Sequence, residues 1–299
     1  NPYGSYVSRL STLKFASNAY NGNYLSNYNQ SVWANAFGGA NIIDGNSGAL
    51  YGVSIGVDKQ ANENVLFGTY FTYANSKVKD TNIEQESKNF QLGLYSTIDF
   101  ASDFESNIKA YFQISNTDQS ASYTGIGNGE SDYNAKYFGI SANIGKVFDF
   151  SDNTLFIKPF AGINYYYSYI PSFIDKNTLG GFKVDSMTNN SLSLELGAEF
   201  RKYMNESSYF FITPKIEQFV LNDGDDYSAN LALNNAFFTS VKANDKKKTY
   251  AQVIIGGNVD MNERLSFNAG IGAKQILAGK VDNKNETYVS GQVGFKYKF

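Results

Sequence analysis

Cysteine and histidine are both absent from this chain of 299 residues. Without cysteine there are no disulfides, no thiol nucleophile and no thiolate metal site. Without histidine the commonest general base and the commonest metal ligand disappear together. No metal or other cofactor is expected. Basic charge is also scarce: the net charge is -3 and the pI about 5.2, so no positive field exists to draw in nucleic acid. No apolar run approaches the length of a spanning helix, which excludes a helical membrane protein. Proline is limited to 4 residues and tryptophan to 1.

What is present suits strands. Tyr (23), Phe (24) and Gly (27) are abundant, and aromatics make up 16% of the chain. A mean hydropathy of -0.35 is compatible with a membrane barrel, because lipid-facing and lumen-facing residues alternate and average to a polar sequence. The last fourteen residues show the pattern most plainly. Val289, Val293, Phe295, Tyr297 and Phe299 fall on one face, and Ser290, Gln292, Gly294, Lys296 and Lys298 on the other. Such a strand turns its apolar face either to the core of a soluble sandwich or to lipid.

The same period of two recurs from Ser31 onward. It predicts twelve strands, near 31–40, 49–58, 65–76, 87–99, 106–117, 133–149, 154–169, 190–203, 208–220, 248–260, 264–276 and 286–299. The connections at 58–64, 99–106, 149–153, 203–208 and 260–263 are short and polar. Those at 39–48, 75–87, 116–133, 170–190, 220–248 and 277–286 are long. Short and long alternate, as in an antiparallel meander with tight turns on one rim and extended loops on the other. The fold expected is all-β, a 12-stranded antiparallel up-and-down transmembrane barrel at 31–299, with both ends on the short-turn side. In the 220–248 loop, LALNNAFFTSVKANDKKK suits an extra hairpin or a flap over the mouth.

Residues 1–30 read differently. Tyr6, Val7, Leu10 and Leu13 recur at helical spacing with Arg9 and Lys14 between them, which predicts a helix from Tyr3 to Tyr20 followed by a linker of turn formers. At about 1.5 Å per residue the helix would measure roughly 25 Å, the height of a barrel's apolar band. Its polar side fits a wet lumen. Taken without the rest of the chain, it reads first as an ordinary amphipathic helix packed outside a sheet. The chain starts at Asn1 without Met or signal peptide, as expected of the C-terminal piece of something longer.

By the alternation, the lumen face carries Lys109, Lys158, Glu195, Glu199, Arg201, Lys215, Glu217 and Lys274. These charges either pair with one another or receive Arg9 and Lys14 of a helix inside the pore, with Glu195, Glu199 and Glu217 as partners. Paired carboxylates are the one enzymatic constellation left to a chain without His or Cys. Glu195 and Glu199 lie four apart on one strand face, roughly 13 Å at about 3.3 Å per residue, beyond the separation of roughly 5 to 9.5 Å that glycosidases use. A cross-strand pair of Glu195 with Glu217 stays open. No catalytic or metal site is assigned.

The predicted helix and linker, SVWANAFGG at Ser31 to Gly39, YGVSIGVDKQANENVLFGTYFTY at Tyr51 to Tyr73, NFQLGLYSTIDF and the terminal FKYKF resemble the translocator domain of type V secretion autotransporters. The resemblance covers essentially the whole chain. Its most specific parts are Trp33 in the first strand and Gly52, Gly56 and Asp58 in the next. It implies a barrel in the bacterial outer membrane, threaded by a helix, that exports an N-terminal passenger to the cell surface. The C-terminus would face the periplasm. Partners implied are membrane lipid, the passenger, periplasmic chaperones and the barrel-assembly machinery. Phe295, Tyr297 and Phe299 would be the signal that machinery reads, and a monomer is expected. Some members cut the passenger with an Asn of the helix. Asn18, Asn21, Asn23 and Asn27 have the chemistry, but no match to that subgroup's motif exists. A passive porin-like channel and a surface-binding barrel acting through its loops are the alternatives.

Overall fold

In a computed structural model of the chain, residues 30–80, 82–151, 154–205 and 208–299 are described. The predicted helix, with Tyr6, Arg9, Leu10, Leu13 and Lys14, lies outside the described residues. The chain runs through β1 (Gln30–Ile43), β2 (Asn46–Asn62), β3 (Val65–Asp80), β4 (Ile83–Asp99), β5 (Phe104–Tyr123), β6 (Gly127–Lys146) and the short β7 (Phe148–Phe150), which continues β6. It continues through β8 (Leu155–Ile170), β9 (Phe173–Asp175), β10 (Phe182–Val184), β11 (Met187–Tyr203), β12 (Tyr209–Gly224), β13 (Tyr227–Leu231) and β14 (Phe237–Val241). β15 (Thr249–Asp260), β16 (Leu265–Ala278) and β17 (Glu286–Lys298) complete it.

Twelve of these form a closed antiparallel wall in the order β1-β2-β3-β4-β5-β6-β8-β11-β12-β15-β16-β17, and β17 returns to β1. The seam is in register from Ser31 opposite Lys298 to Ile43 opposite Glu286. No edge of the wall is left unpaired, so the backbone hydrogen bonds that lipid could not replace are all made within the sheet.

Polarity is inverted relative to a soluble domain. Leu92, Leu94 and Leu196 stand 60%, 63% and 68% exposed, while Lys158, Asn164 and Glu217 are buried. Apolar residues face out around the circuit, as lipid requires, and polar residues face a lumen. No helix among the described residues is long and apolar enough to cross a membrane, which says nothing of strands.

The aromatic residues of the lumen are fitted to glycines across the ladder. Trp33 covers Gly56, Tyr95 covers Gly68 and Tyr70 covers Gly93; a Cβ on any of these glycines would come within 2.3 Å of the ring. The three rings form one cluster with centroids 6.3 Å apart. Trp33 Nε1 donates to Tyr95 Oη at 2.7 Å, and Tyr95 donates in turn to Asp58 Oδ2 at 2.7 Å. Ser31 Oγ donates to the other oxygen of Asp58. Strands β1 to β4 are thereby tied together inside the wall.

The loop rim departs from the expected pattern. Three connections expected to be long are tight, because β1–β2, β3–β4 and β5–β6 continue as paired ladders to within a few residues of their turns. β5 and β6 are 20 residues each, against the roughly 9–11 that span a membrane. Ser, Thr, Asn and Gln carry the ladder above the apolar band, where alternation no longer marks strands. The 170–187 and 224–249 connections are long, as expected. Together they build a four-stranded sheet, β14-β13-β10-β9, with the hairpin expected in 220–248 as half of it.

Candidate functional site: the lumen and its cap

All eight lining residues predicted from the alternation lie on the luminal face, and none is exposed. They fall into two networks. At the short-turn end, Glu105 on β5 accepts from Lys158 Nζ and Arg201 Nη2, both at 2.9 Å, and Arg201 Nε also donates to Glu199. Glu105 was missed from sequence because it stands one residue outside the strand assigned there as 106–117.

Higher in the lumen, Glu195 and Glu217 are direct partners across β11 and β12. Like charges in that position repel. Here each has its own cation: Lys215 at 3.3 Å from Glu195, and Lys274 at 2.9 Å from Glu217. The Asn164 amide donates to both carboxylates, at 3.3 and 3.1 Å, and Ser193 Oγ donates to Glu217 at 2.7 Å. Lys109 sits over the Tyr70 ring, 5.0 Å from its centroid. A cavity of 110 Å³ lies among Lys109, Asn143, Lys158, Glu195, Glu199 and Lys215. The carboxylates named as partners for Arg9 and Lys14 each have a cation of the wall within reach, while Arg9 and Lys14 lie outside the described residues.

At the loop end the small sheet docks against the luminal face of β5 and β6. Phe182, Val184 and Ala229 are buried in one cluster with Tyr111, Tyr133, Ala135 and Tyr137 of the wall. Phe173 stacks on Tyr133 with centroids 4.7 Å apart, and Phe182 meets Tyr123 edge-on at 5.4 Å. The backbones of Lys176 and Glu130 exchange hydrogen bonds at 2.7 and 3.0 Å, and Tyr123 donates to Asp175. Burial holds the Asp175 carboxyl above the usual carboxylate range, and burial with the Asp175 contact raises the Tyr123 phenol. The sheet is a cap over that side of the mouth.

A closed twelve-stranded wall with an apolar exterior, a charged but internally neutralised lumen and a capped mouth defines an outer-membrane barrel of the translocator type. The family model for the C-terminal domain of the vacuolating cytotoxin autotransporter VacA matches residues 2–299, and the chain belongs to that family. Vacuolating cytotoxin autotransporters of Helicobacter pylori are 26% identical over 278 residues and, in another sequence, 27% over 290; each match spans 90% of this chain. This chain spans 21% of the length of those relatives.

Among solved structures, the translocator domain of autotransporter NalP from Neisseria meningitidis superposes with a TM-score of 0.74 at 15% identity, over 100% of this chain and 97% of that one. The beta domain of the Bordetella autotransporter BrkA gives 0.64 at 15% identity, over 90% and 99%. These likenesses speak for the fold. With the family match, the chain is the C-terminal barrel domain of an autotransporter, of the outer-membrane translocator type.

Proposed function

We propose that the chain exports a passenger through this lumen from the periplasm to the cell surface. The passenger would be of the vacuolating-cytotoxin type found in the relatives, which would place the protein among those that serve virulence. The short-turn rim faces the periplasm and the capped rim faces outside. Residues 1–30 serve as pore helix and linker, with Tyr6, Arg9, Leu10, Leu13 and Lys14 inside the barrel, and 31–299 form the translocator. The observation that carries this reading is the neutralised lumen. Glu195, Glu217 and Glu105 are held by Lys215, Lys274, Lys158 and Arg201, so a polypeptide can pass without being trapped by a field of one sign.

Assembly would use the closing strand. Phe295, Tyr297 and Phe299 project outward at 51%, 39% and 63% exposure, and they are proposed as the signal read by the barrel-assembly machinery after delivery by periplasmic chaperones. The barrel works as a monomer and performs no catalytic step in this reading. The test is planar-bilayer conductance with and without residues 1–25. Removal is expected to convert a closed barrel into one passing large, stable currents. Equal large currents from both forms would sink the pore-helix assignment and favour a passive channel.

A further inference from the structure

The outer face of the wall is not uniform. By the alternation, the glycines on the described strands of the wall turn inward with three exceptions, Gly38 on β1, Gly257 on β15 and Gly291 on β17. All three line one apolar groove of 760 Å³ on the lipid side. Inward glycines such as Gly56, Gly68 and Gly93 make room for a ring of the protein itself. Gly38 and Gly291, partners across the seam, make room for none: a Cβ on either would meet nothing closer than 3.6 Å.

The register shows how the groove lies. Lys202, Phe210, Gly257, Ala269, Val293 and Ala36 are successive partners across β11, β12, β15, β16, β17 and β1, and every one after Lys202 lines the groove. Ile255 and Ile271 form one bank, Val259 and Phe267 the other. The row begins at the short-turn rim and climbs toward Gly38 and Gly291, each eight residues along its strand from Gln30 or Phe299. At about 3.3 Å per residue and a tilt of roughly 40°, that end stands about 20 Å above the rim, near the middle of a hydrocarbon core about 30 Å thick. The groove therefore spans one leaflet.

Two cations stand at its rim end. Lys202 heads the row and is exposed on the outer face, donating to Thr154 Oγ1 at 2.9 Å. Arg264, on the β15–β16 turn, leans outward to Tyr297 Oη at 3.4 Å. Among the described residues neither forms an ion pair; Asp260, on the same turn as Arg264 and Glu263, is engaged by Lys298.

We propose that this groove is a binding site for one phospholipid of the leaflet at the short-turn rim, with an acyl chain between the two banks and the headgroup phosphate drawn to the end that carries Lys202 and Arg264. The outer face meets lipid, and a hollow left empty there forfeits the dispersion contacts of both banks. An acyl chain has the right depth, since it too reaches from the interface to mid-bilayer. Exposed guanidinium and ammonium groups match a phosphate in charge and hydrogen bonding. The site rests on the membrane-spanning wall and not on export through the lumen; the orientation proposed above enters only in making that leaflet the periplasmic one.

The test is native mass spectrometry of the full chain, refolded in detergent with palmitoyl-oleoyl phosphatidylglycerol or with the diacylglycerol of the same chains, which lacks the phosphate. One retained phosphatidylglycerol per barrel is expected. Diacylglycerol, and phosphatidylglycerol on the groove-filling variants Gly38→Leu and Ala269→Leu, should each be retained at least about tenfold less. Lys202→Ala combined with Arg264→Ala should bring phosphatidylglycerol down to the level of diacylglycerol. Ala110→Leu, between the outward Ile108 and Phe112 of β5, should leave retention unchanged. Scoring is confined to variants with the folded barrel's mobility before heating, and an outward leucine on a strand suits both fold and lipid. Unchanged retention in Gly38→Leu and Ala269→Leu, or equal retention of the two lipids, would mean an unselective lipid shell and overturn the site. Barrel dimers in place of lipid adducts would give the groove to a second copy of the chain and overturn it as well.

Discussion

The buried carboxylate Glu105 offers the sharpest test of how the lumen is held together. Its side chain is 9% exposed and serves two cations at once, Lys158 and Arg201, whose side chains are 3% and 6% exposed. Among the described residues no other ion-pair partner falls to Lys158, whereas Arg201 keeps Glu199. Glu105→Ala therefore strands one ammonium completely and one guanidinium in part. Breaking a buried pair by removing one partner typically costs roughly 3–5 kcal/mol, most of it the penalty of the charge left behind. Because Arg201 retains a carboxylate, the lower end applies, about 3 kcal/mol.

The companion variant Glu105→Ala/Lys158→Met removes the stranded charge and should recover most of that loss, leaving a net change of about 1 kcal/mol or less. The assay is urea unfolding of the barrel in lipid vesicles, followed by the emission of Trp33. It is the sole tryptophan of the chain, and its indole is bonded to Tyr95 inside the wall. The exposed pair of Lys77 with Glu84 is the control, and Glu84→Gln should leave the midpoint unchanged within error. A loss below about 1 kcal/mol for Glu105→Ala, or no recovery in the double variant, would mean that the lumen solvates these charges as water does and that the network is not a unit.

Three further outcomes follow from the same structure. Gly56→Leu forces a side chain into the ring of Trp33, which an added Cβ already approaches to 2.3 Å; overpacking of about 1–3 kcal/mol and a red-shifted Trp33 emission are expected, and an unshifted spectrum would count against the ring-on-glycine contact. Asp175 has its pKa raised by burial at the cap, so the protonated form is the one the docked cap favours. The stabilisation is complete below the ordinary carboxylate pKa and is lost as pH rises through the elevated value. Hydrogen exchange across 173–184 should accelerate with rising pH beyond the intrinsic base catalysis of exchange, and Asp175→Asn should flatten that excess; an equal excess in both would refute the assignment. Phe299→Ser is expected to lower outer-membrane levels more than it lowers the stability of barrel already inserted, as measured by surface protease protection and thermal unfolding; normal levels would remove the closing strand's role as a signal.

The wall was legible in the sequence because lipid and lumen impose opposite demands at a period of two. Leu192, Leu194 and Leu196 alternate with Ser193, Glu195 and Gly197, and no other arrangement places those leucines outside and those polar groups together. The luminal charges were legible for the same reason, since each needs only the parity of its strand. Their partners were not. Which cation reaches Glu217 depends on the stagger between β11, β12, β15 and β16, and Lys274 lies 57 residues away in sequence. Parity says that Glu195 faces in; only the register says that it faces Glu217.

The loop rim failed for a different physical reason, and the failure shows where the membrane ends. Above the apolar band both faces of a strand meet water or cap, so Ser, Thr, Asn and Gln serve equally on either side and the periodic signal vanishes, although the ladder continues. The stretch 116–133, read as a long loop, is for this reason the upper part of β5 and β6, with Thr117 and Gln119 buried against the lumen and Asn116 and Asp118 outside. The cap follows from that extension. Without β5 and β6 standing well beyond the membrane there would be no wall for Phe173 and Phe182 to pack on, and Phe173 would lose the Tyr133 ring it stacks against. Shortening the β5–β6 hairpin by removing 120–130 should therefore undock a sheet that is encoded elsewhere, in 173–184 and 227–241. Protease sensitivity appearing in those two segments, with the barrel's heat-resistant mobility retained, is the expected sign; continued protection would show that the cap stands without the hairpin.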